Sequence, residues 1–131
     1  MKKPSSGVKR ILVVEDEPAI CEVCQRALTS EGFEVDIAVN GDVAQDMLRE
    51  KDCDLCLIDI RTPVMNGKQL YQVILEKHPK LVKGTIFTTG DMIDGYTQRF
   101  LELTRRPFLS KPFTPDELKT VTRETLREMG K

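Results

Sequence analysis

The segment DLCLIDIRTP, residues 54–63, carries an unbroken apolar run over 55–58 that ends in Asp59. A carboxylate at the lip of a buried strand is costly unless something there uses its charge. Other polar groups stand in the same place behind other apolar runs: Glu15, Asp16 and Glu17 after 11–14, Thr88 and Thr89 at the end of 85–88, and Lys111 after 107–109. Carboxylates gathered at one rim repel one another unless a cation sits between them. No histidine is close by in sequence and the candidate ligands are hard oxygens, which favours Mg²⁺ over zinc or copper. A divalent ion, a lysine and a threonine hydroxyl around a lone carboxylate are what phosphoryl transfer onto that carboxylate requires. The metal and ammonium neutralise phosphoryl oxygens while the carboxylate acts as nucleophile. The chain has no Walker-type glycine loop, so ATP is not the expected donor.

Bringing those groups together is the task of the surrounding elements. Strands are expected at 11–14, 35–39, 55–58, 85–88 and 107–109, with helices at about 17–31, 42–51, 67–78, 91–104 and 115–129. Five βα units with short connections imply an α/β fold, a parallel sheet with helices on both faces. Asp36 interrupts the second strand and Pro107 opens the fifth, which suits sheet edges. The resulting order 2-1-3-4-5 is the flavodoxin-like, doubly wound arrangement, whose crevice lies at the carboxyl ends of strands one and three. Helix starts are marked by Pro18 behind acids and by Thr114, Pro115 and Glu117 spaced as a capping box. Asn-Gly pairs at 40–41 and 66–67 each precede a helix, whereas Gly90, Asp94 and Gly95 weaken the fourth.

The totals set bounds. At 131 residues, 40% hydrophobic and 31% charged, the chain holds one domain with one real core. A formal net charge of −1 offers no polyanion-binding surface, so nucleic acid is not an expected partner. Residues 1–8 read as a disordered leader or linker, and 11–14 is too short for a signal peptide or a membrane span. A cytoplasmic location with reduced thiols follows from that reading. The pairs Cys21/Cys24 and Cys53/Cys56 have the spacing of a zinc site. A spacing of three along a strand would turn Cys53 and Cys56 to opposite faces, so core packing is the preferred reading. His78, the single histidine, precedes Pro79 near a helix end and is expected to be an exposed surface residue.

Each site residue has a plainer role available: Glu15 and Asp16 as helix-capping acids, Thr89 as the N-cap of the fourth helix, Lys111 as a solvated lysine. Their joint placement after strands one, three, four and five argues for a site instead.

With these residues in view, the chain resembles the receiver domain of two-component response regulators over about residues 9–129. The segments ILVVEDEP, LIDIRTPVMNG, IFTTGD and FLSKPF carry the resemblance. It implies that Asp59 accepts a phosphoryl group from a phosphohistidine on a kinase or phosphotransfer domain. It further implies that Glu15 and Asp16 form the acidic pair, and that Asp16, Asp59 and the backbone carbonyl of Arg61 bind Mg²⁺. Thr89 matches the switch threonine, Lys111 the lysine followed by a cis bond to Pro112, and Phe108 the aromatic switch position. A downstream partner would then dock on the surface of helix four, strand five and helix five, with no membrane contact by this domain. Thr62, Phe108 and the Arg105-Arg106-Pro107 run depart from the commonest pattern. Arg61 and Asp91 would flank the mouth of the site. The stretches FTTGD and FLELTRRPFLSKPF look most like receivers attached to hybrid histidine kinases. Two alternatives compete: a pseudo-receiver that serves only for docking, and an aspartyl-phosphate phosphohydrolase. The second would want an aspartate where Arg61 stands.

Overall fold

The computed structural model describes residues 8–61, 64–90 and 94–131. Residues 1–7 of the expected leader 1–8, Thr62 and Asp91 lie outside them, and with Asp91 the expected Arg61–Asp91 pair. The strands are β1 (Arg10–Val14), β2 (Glu34–Ala38), β3 (Leu55–Asp59), β4 (Thr85–Thr89) and β5 (Phe108–Ser110). The helices are α1 (Pro18–Ser30), α2 (Gly41–Glu50), α3 (Gly67–Lys77), α4 (Gly95–Thr104) and α5 (Pro115–Glu128), with a 3-10 turn at Pro79–Gly84 between α3 and β4. All strand pairs are parallel and the order is 2-1-3-4-5, as the sequence predicts. The 3-10 turn is a sixth helical element that the periodicity did not reveal.

Strand alternation divides the core in two. Leu12, Val14, Cys56, Ile58 and Phe87 point toward α2, α3 and α4, packing with Ala44, Leu48, Leu70, Ile74 and Leu101. Ile11, Val13, Leu55, Leu57 and Ile86 point the other way, onto Cys24, Ala27 and Leu28 of α1 and Leu118 and Leu126 of α5. The central strands β3 and β4 are buried at every position, whereas β2 and β5 are partly exposed, the expected edge strands. On the first face Tyr71, Phe87 and Phe100 meet edge-to-face with ring centroids 5.2–5.9 Å apart. Such pairs contribute about 0.5–1.5 kcal/mol each beyond the area they bury.

The local signals explain most boundaries. Asn40 and Asn66 are N-caps that accept the amides of Val43 and Gln69, each at 2.9 Å. Thr114 and Glu117 close the expected capping box. Asp94, read as a weak point in the fourth helix, is its N-cap instead and accepts the Thr97 amide at 2.7 Å. β5 begins at Phe108 rather than Pro107: the Pro107 carbonyl accepts from Phe87 at 3.0 Å, but proline has no N–H to continue the ladder. Arg105 ends α4 in the left-handed region, with φ 57°. Arg106 then reaches back, Nε to the Thr85 carbonyl at 2.9 Å and Nη2 to the Lys83 carbonyl at 2.6 Å. Arg106 therefore fastens the start of β4.

Two expectations are corrected. Cys53 and Cys56 share one side of the sheet, because Cys53 precedes β3 and does not follow its alternation. Cys24 lies on the other side, so the two pairs are separated by the sheet. All four thiols are free. Burial pushes Cys24 and Cys53 up to about 12, which leaves them as inert core groups. His78 is half-buried rather than exposed, because it caps both α3 and the 3-10 turn. Its Nε2 is buried with no hydrogen-bond partner among the described residues.

Candidate functional site

Register brings the expected residues to one rim. Val14 pairs with Ile58, so Glu15 emerges from β1 level with Asp59 on β3. Asp59 pairs with Thr88, and Thr89 pairs with Ser110, which places Lys111 one residue beyond. The Lys111 amide donates to the Thr89 carbonyl at 2.7 Å. The Lys111–Pro112 bond is cis, as the resemblance implies. Behind Asp59 the chain turns tightly. Ile60 donates to Thr88 at 3.1 Å, and Gly67, opening α3, donates to Ile60 at 2.9 Å. A Cβ at Gly67 would fall 2.7 Å from the Ile60 Cα, so only glycine lets α3 start this close to β3.

Lys111 is the centre of charge. Its Nζ lies 2.8 Å from Glu15 Oε1, 3.2 Å from Glu17 Oε1 and 3.3 Å from Asp59 Oδ2. Glu15 and Asp59 are both buried, at 2% and 5% exposure, and the lysine side chain is 13% exposed. Burial raises the pKa of Glu15, opposed by the Lys111 hydrogen bond, and the nearby Asp59 charge raises it further. For Lys111, burial acts to lower the pKa but is outweighed by the Glu15 bond and the Asp59 charge, which hold it above its ordinary value. The second oxygens are also engaged: Asp59 Oδ1 accepts the Arg61 amide and Glu15 Oε2 the Glu17 amide, each at 3.1 Å.

Carboxylate oxygens of Glu15, Asp16 and Asp59 all lie within 4.8 Å of one another, with Asp16 exposed at the mouth. Three hard oxygen ligands at that separation, two of them buried, fit a small divalent cation such as Mg²⁺. Thr89 Oγ1 and Thr88 Oγ1 are buried without hydrogen-bond partners among the described residues. An orphaned buried hydroxyl marks a place where a further acceptor belongs. Phe108, the first residue of β5, is 44% exposed and pairs with Phe87.

The plainer roles fare unevenly in this geometry. Thr89 does not cap α4, since Asp94 does; Lys111 is paired rather than solvated. Glu15 does accept an amide at the start of α1, and its other oxygen meets Lys111. The sequence reading gave Glu17 no role beyond its place in an acidic run, yet it touches Lys111. The signal was present in the acid triplet, but the reach of Lys111 from β5 to β1 is a three-dimensional fact.

The chain can now be set beside known proteins. The family model of the response regulator receiver domain matches residues 11–123. The chain is 36% identical over 122 residues to Response regulator Rre1 of Synechocystis, covering 88% of this chain and 51% of that protein. It is 35% identical over 121 residues to the DNA-binding response regulator MtrA of Mycolicibacterium smegmatis, covering 91% and 51%. It is 31% identical over 125 residues to the Sensor kinase CckA of Brucella abortus, covering 94% of this chain and 13% of that one. The chain thus spans about half the length of Rre1 and MtrA, and far less of CckA. Among solved structures, the CheY-like response regulator receiver domain protein of Methanospirillum hungatei superposes with a TM-score of 0.86 at 28% identity, over 95% of this chain and 98% of that one. The fold and rim define a CheY-like, doubly wound receiver architecture. The chain belongs to the response regulator receiver family, whose members are signalling domains of two-component systems. Among the described residues, no helix is long and apolar enough to cross a membrane.

Proposed function

We propose that Asp59 is the phosphoacceptor of a histidine-to-aspartate phosphorelay and that its phosphorylation reshapes a partner-binding face. The observation that carries this reading is a buried carboxylate held 3.3 Å from a half-buried ammonium, beside two further acids. Glu15, Asp16 and Asp59, with the backbone carbonyl of Arg61, would hold Mg²⁺, which when bound neutralises phosphoryl oxygens. The chain's own residues do the rest. The Arg61 amide fixes one Asp59 oxygen and orients the other. Attack forms an Asp59 oxygen–phosphorus bond as the donor's bond to phosphorus breaks, and Lys111 balances the charge on the transferred group.

The acyl phosphate carries about −1.5 to −2 charge where the carboxylate carried a single one, and it brings three acceptor oxygens. The Thr89 hydroxyl, without a partner among the described residues, donates to one of them. Its movement opens space into which Phe108 turns from its exposed position; lacking a hydroxyl, Phe108 responds by packing alone. The face changed is α4, β5 and α5, where Tyr96 (84% exposed), Leu103 (77%) and Phe108 already present apolar surface. Tyr96 and Leu103 are two helical turns apart on one side of α4. The donor is a cognate histidine kinase or phosphotransfer domain in the cytoplasm. The likeness to a sensor kinase supports a receiver borne by a hybrid kinase as readily as one borne by a regulator. Trapping tests the site directly. Borohydride reduction after incubation with Mg²⁺ and acetyl phosphate should convert Asp59 to homoserine; reduction at another residue, or at none, would overturn the reading.

A further inference from the structure

We infer that Glu17 is a positioning residue that tethers Lys111 in the unphosphorylated chain, and that Lys111 releases it when the phosphoryl group arrives. The inference rests on the phosphoacceptor reading and extends it to the resting state. An ammonium has three N–H donors, and Lys111 meets three carboxylates: Glu15 at 2.8 Å, Glu17 at 3.2 Å and Asp59 at 3.3 Å. Phosphorylation turns the Asp59 carboxylate itself into the acyl phosphate, whose oxygens lie beyond the present contact, so Lys111 must move to meet them and strain its bonds to Glu15 and Glu17.

The three partners are unequal. Glu15 is buried, so its carboxylate, if abandoned, loses its partner with little water to replace it, while the Asp59 contact passes to the phosphoryl group on the same side chain. The Glu17 side chain is 60% exposed, and water takes over its solvation at small cost. Glu17 also stands outside the acid cluster suited to a cation, which comprises Glu15, Asp16 and Asp59. Nor does it serve the helix: it occupies the N-cap of α1 but its side chain makes no capping hydrogen bond. Among the described residues, Lys111 is the one contact that explains its orientation. The tether draws Lys111 toward the mouth on the β1 side, and breaking it is part of the work of phosphotransfer.

Two substitutions separate a tether from a mere charge. Glu17→Gln removes the charge and weakens the bond. Glu17→Asp keeps the charge on a side chain one methylene shorter, and aspartate at an N-cap turns to the helix amides instead. The initial rate of phosphoryl gain would be followed by intact mass at saturating Mg²⁺ with acetyl phosphate. As the Asp59 oxygen bonds to phosphorus, the phosphorus–oxygen bond of the donor breaks and acetate leaves with the electron pair. Both variants should react about threefold faster than the parent, the scale of a half-exposed ion pair. The Lys111 Nζ nitrogen resonance, read without phosphodonor, should shift in both. Parental rates with an unmoved resonance would overturn the tether, as would a fast Glu17→Gln beside a parental Glu17→Asp, which would assign the effect to charge. The resonance is independent of phosphorylation: a parent that gains nothing at Asp59 refutes the phosphoacceptor reading, while the tether is still decided by the Nζ shift.

Discussion

Lys111 Nζ lies 2.8 Å from Glu15 Oε1, joining the end of β5 to the end of β1 across the two strands between them. The bond is the rim's main internal neutralisation. Lys111→Met would leave Glu15 and Asp59 buried together without their cation. The expected loss is about 3 kcal/mol at neutral pH in the absence of metal, the scale for breaking a buried pair. Mg²⁺ should restore more stability to this variant than to the parent, measured by thermal unfolding with and without the ion. The raised pKa fixes the sign of the pH dependence. Lys111 contributes stability that is fully present below its unfolded value of 10.5 and is lost as pH rises through the higher folded one. The variant should therefore show a flatter alkaline limb.

Thr89 tests the switch apart from the acceptor. Its hydroxyl is buried without a partner among the described residues, so Thr89→Val should change stability by less than about 1 kcal/mol. It should still gain a phosphoryl group. Amide shifts in α4 and at Phe108 that accompany phosphorylation of the parent should be largely lost; shifts equal to the parent's would refute the coupling through Thr89.

Gly67 guards the geometry behind Asp59. An added Cβ would meet the Ile60 Cα at 2.7 Å and the Asp59 carbonyl oxygen at 3.0 Å, both backbone atoms with little freedom to yield. Gly67→Ala should cost about 1–3 kcal/mol by denaturant unfolding, as overpacking does. Slower phosphorylation should accompany the loss, since Ile60 and Asp59 would shift together.

At the opposite end of the sheet, Asp54 fastens the strand starts. Oδ2 accepts the Arg10 amide at 2.9 Å and Oδ1 accepts from Lys131 at 2.7 Å. Partial burial acts to raise its pKa, but the Lys131 and Arg10 hydrogen bonds prevail and hold it below 3.8. The stabilisation is present above that unfolded value and is lost as pH falls through the lower folded one. Asp54→Asn should cost about 1 kcal/mol at neutral pH, discounted for exposure, and should flatten the acid limb. Unfolding midpoints between neutral pH and acid check both statements.

The parts of this molecule legible in its sequence are those encoded by short-range pattern. Apolar runs located β1, β3 and β4, and asparagine or threonine ahead of α2, α3 and α5 marked their starts. The rim followed because each polar group ends its strand or directly follows it, so topology alone collects Glu15, Asp59, Thr89 and Lys111. What escaped depends on tertiary packing. Asp94 looked like a helix breaker because a capping aspartate and a disruptive one have the same local sequence. Cys53 was misplaced because strand alternation was extended beyond the first residue of β3. His78 was read as exposed because the 3-10 turn that shares its cap has no periodic signature. Arg106 had no reading until its guanidinium was seen on the carbonyls of Lys83 and Thr85.

The central claim is that Asp59 accepts a phosphoryl group in a Mg²⁺-dependent reaction. Intact mass after incubation with acetyl phosphate, with Mg²⁺ or with chelator, beside Asp59→Asn, tests it most directly. The account predicts a labile gain of one phosphoryl group in the parent with Mg²⁺, and none in the variant or with chelator. An equal gain in Asp59→Asn, or no gain in the parent with the metal present, would contradict it.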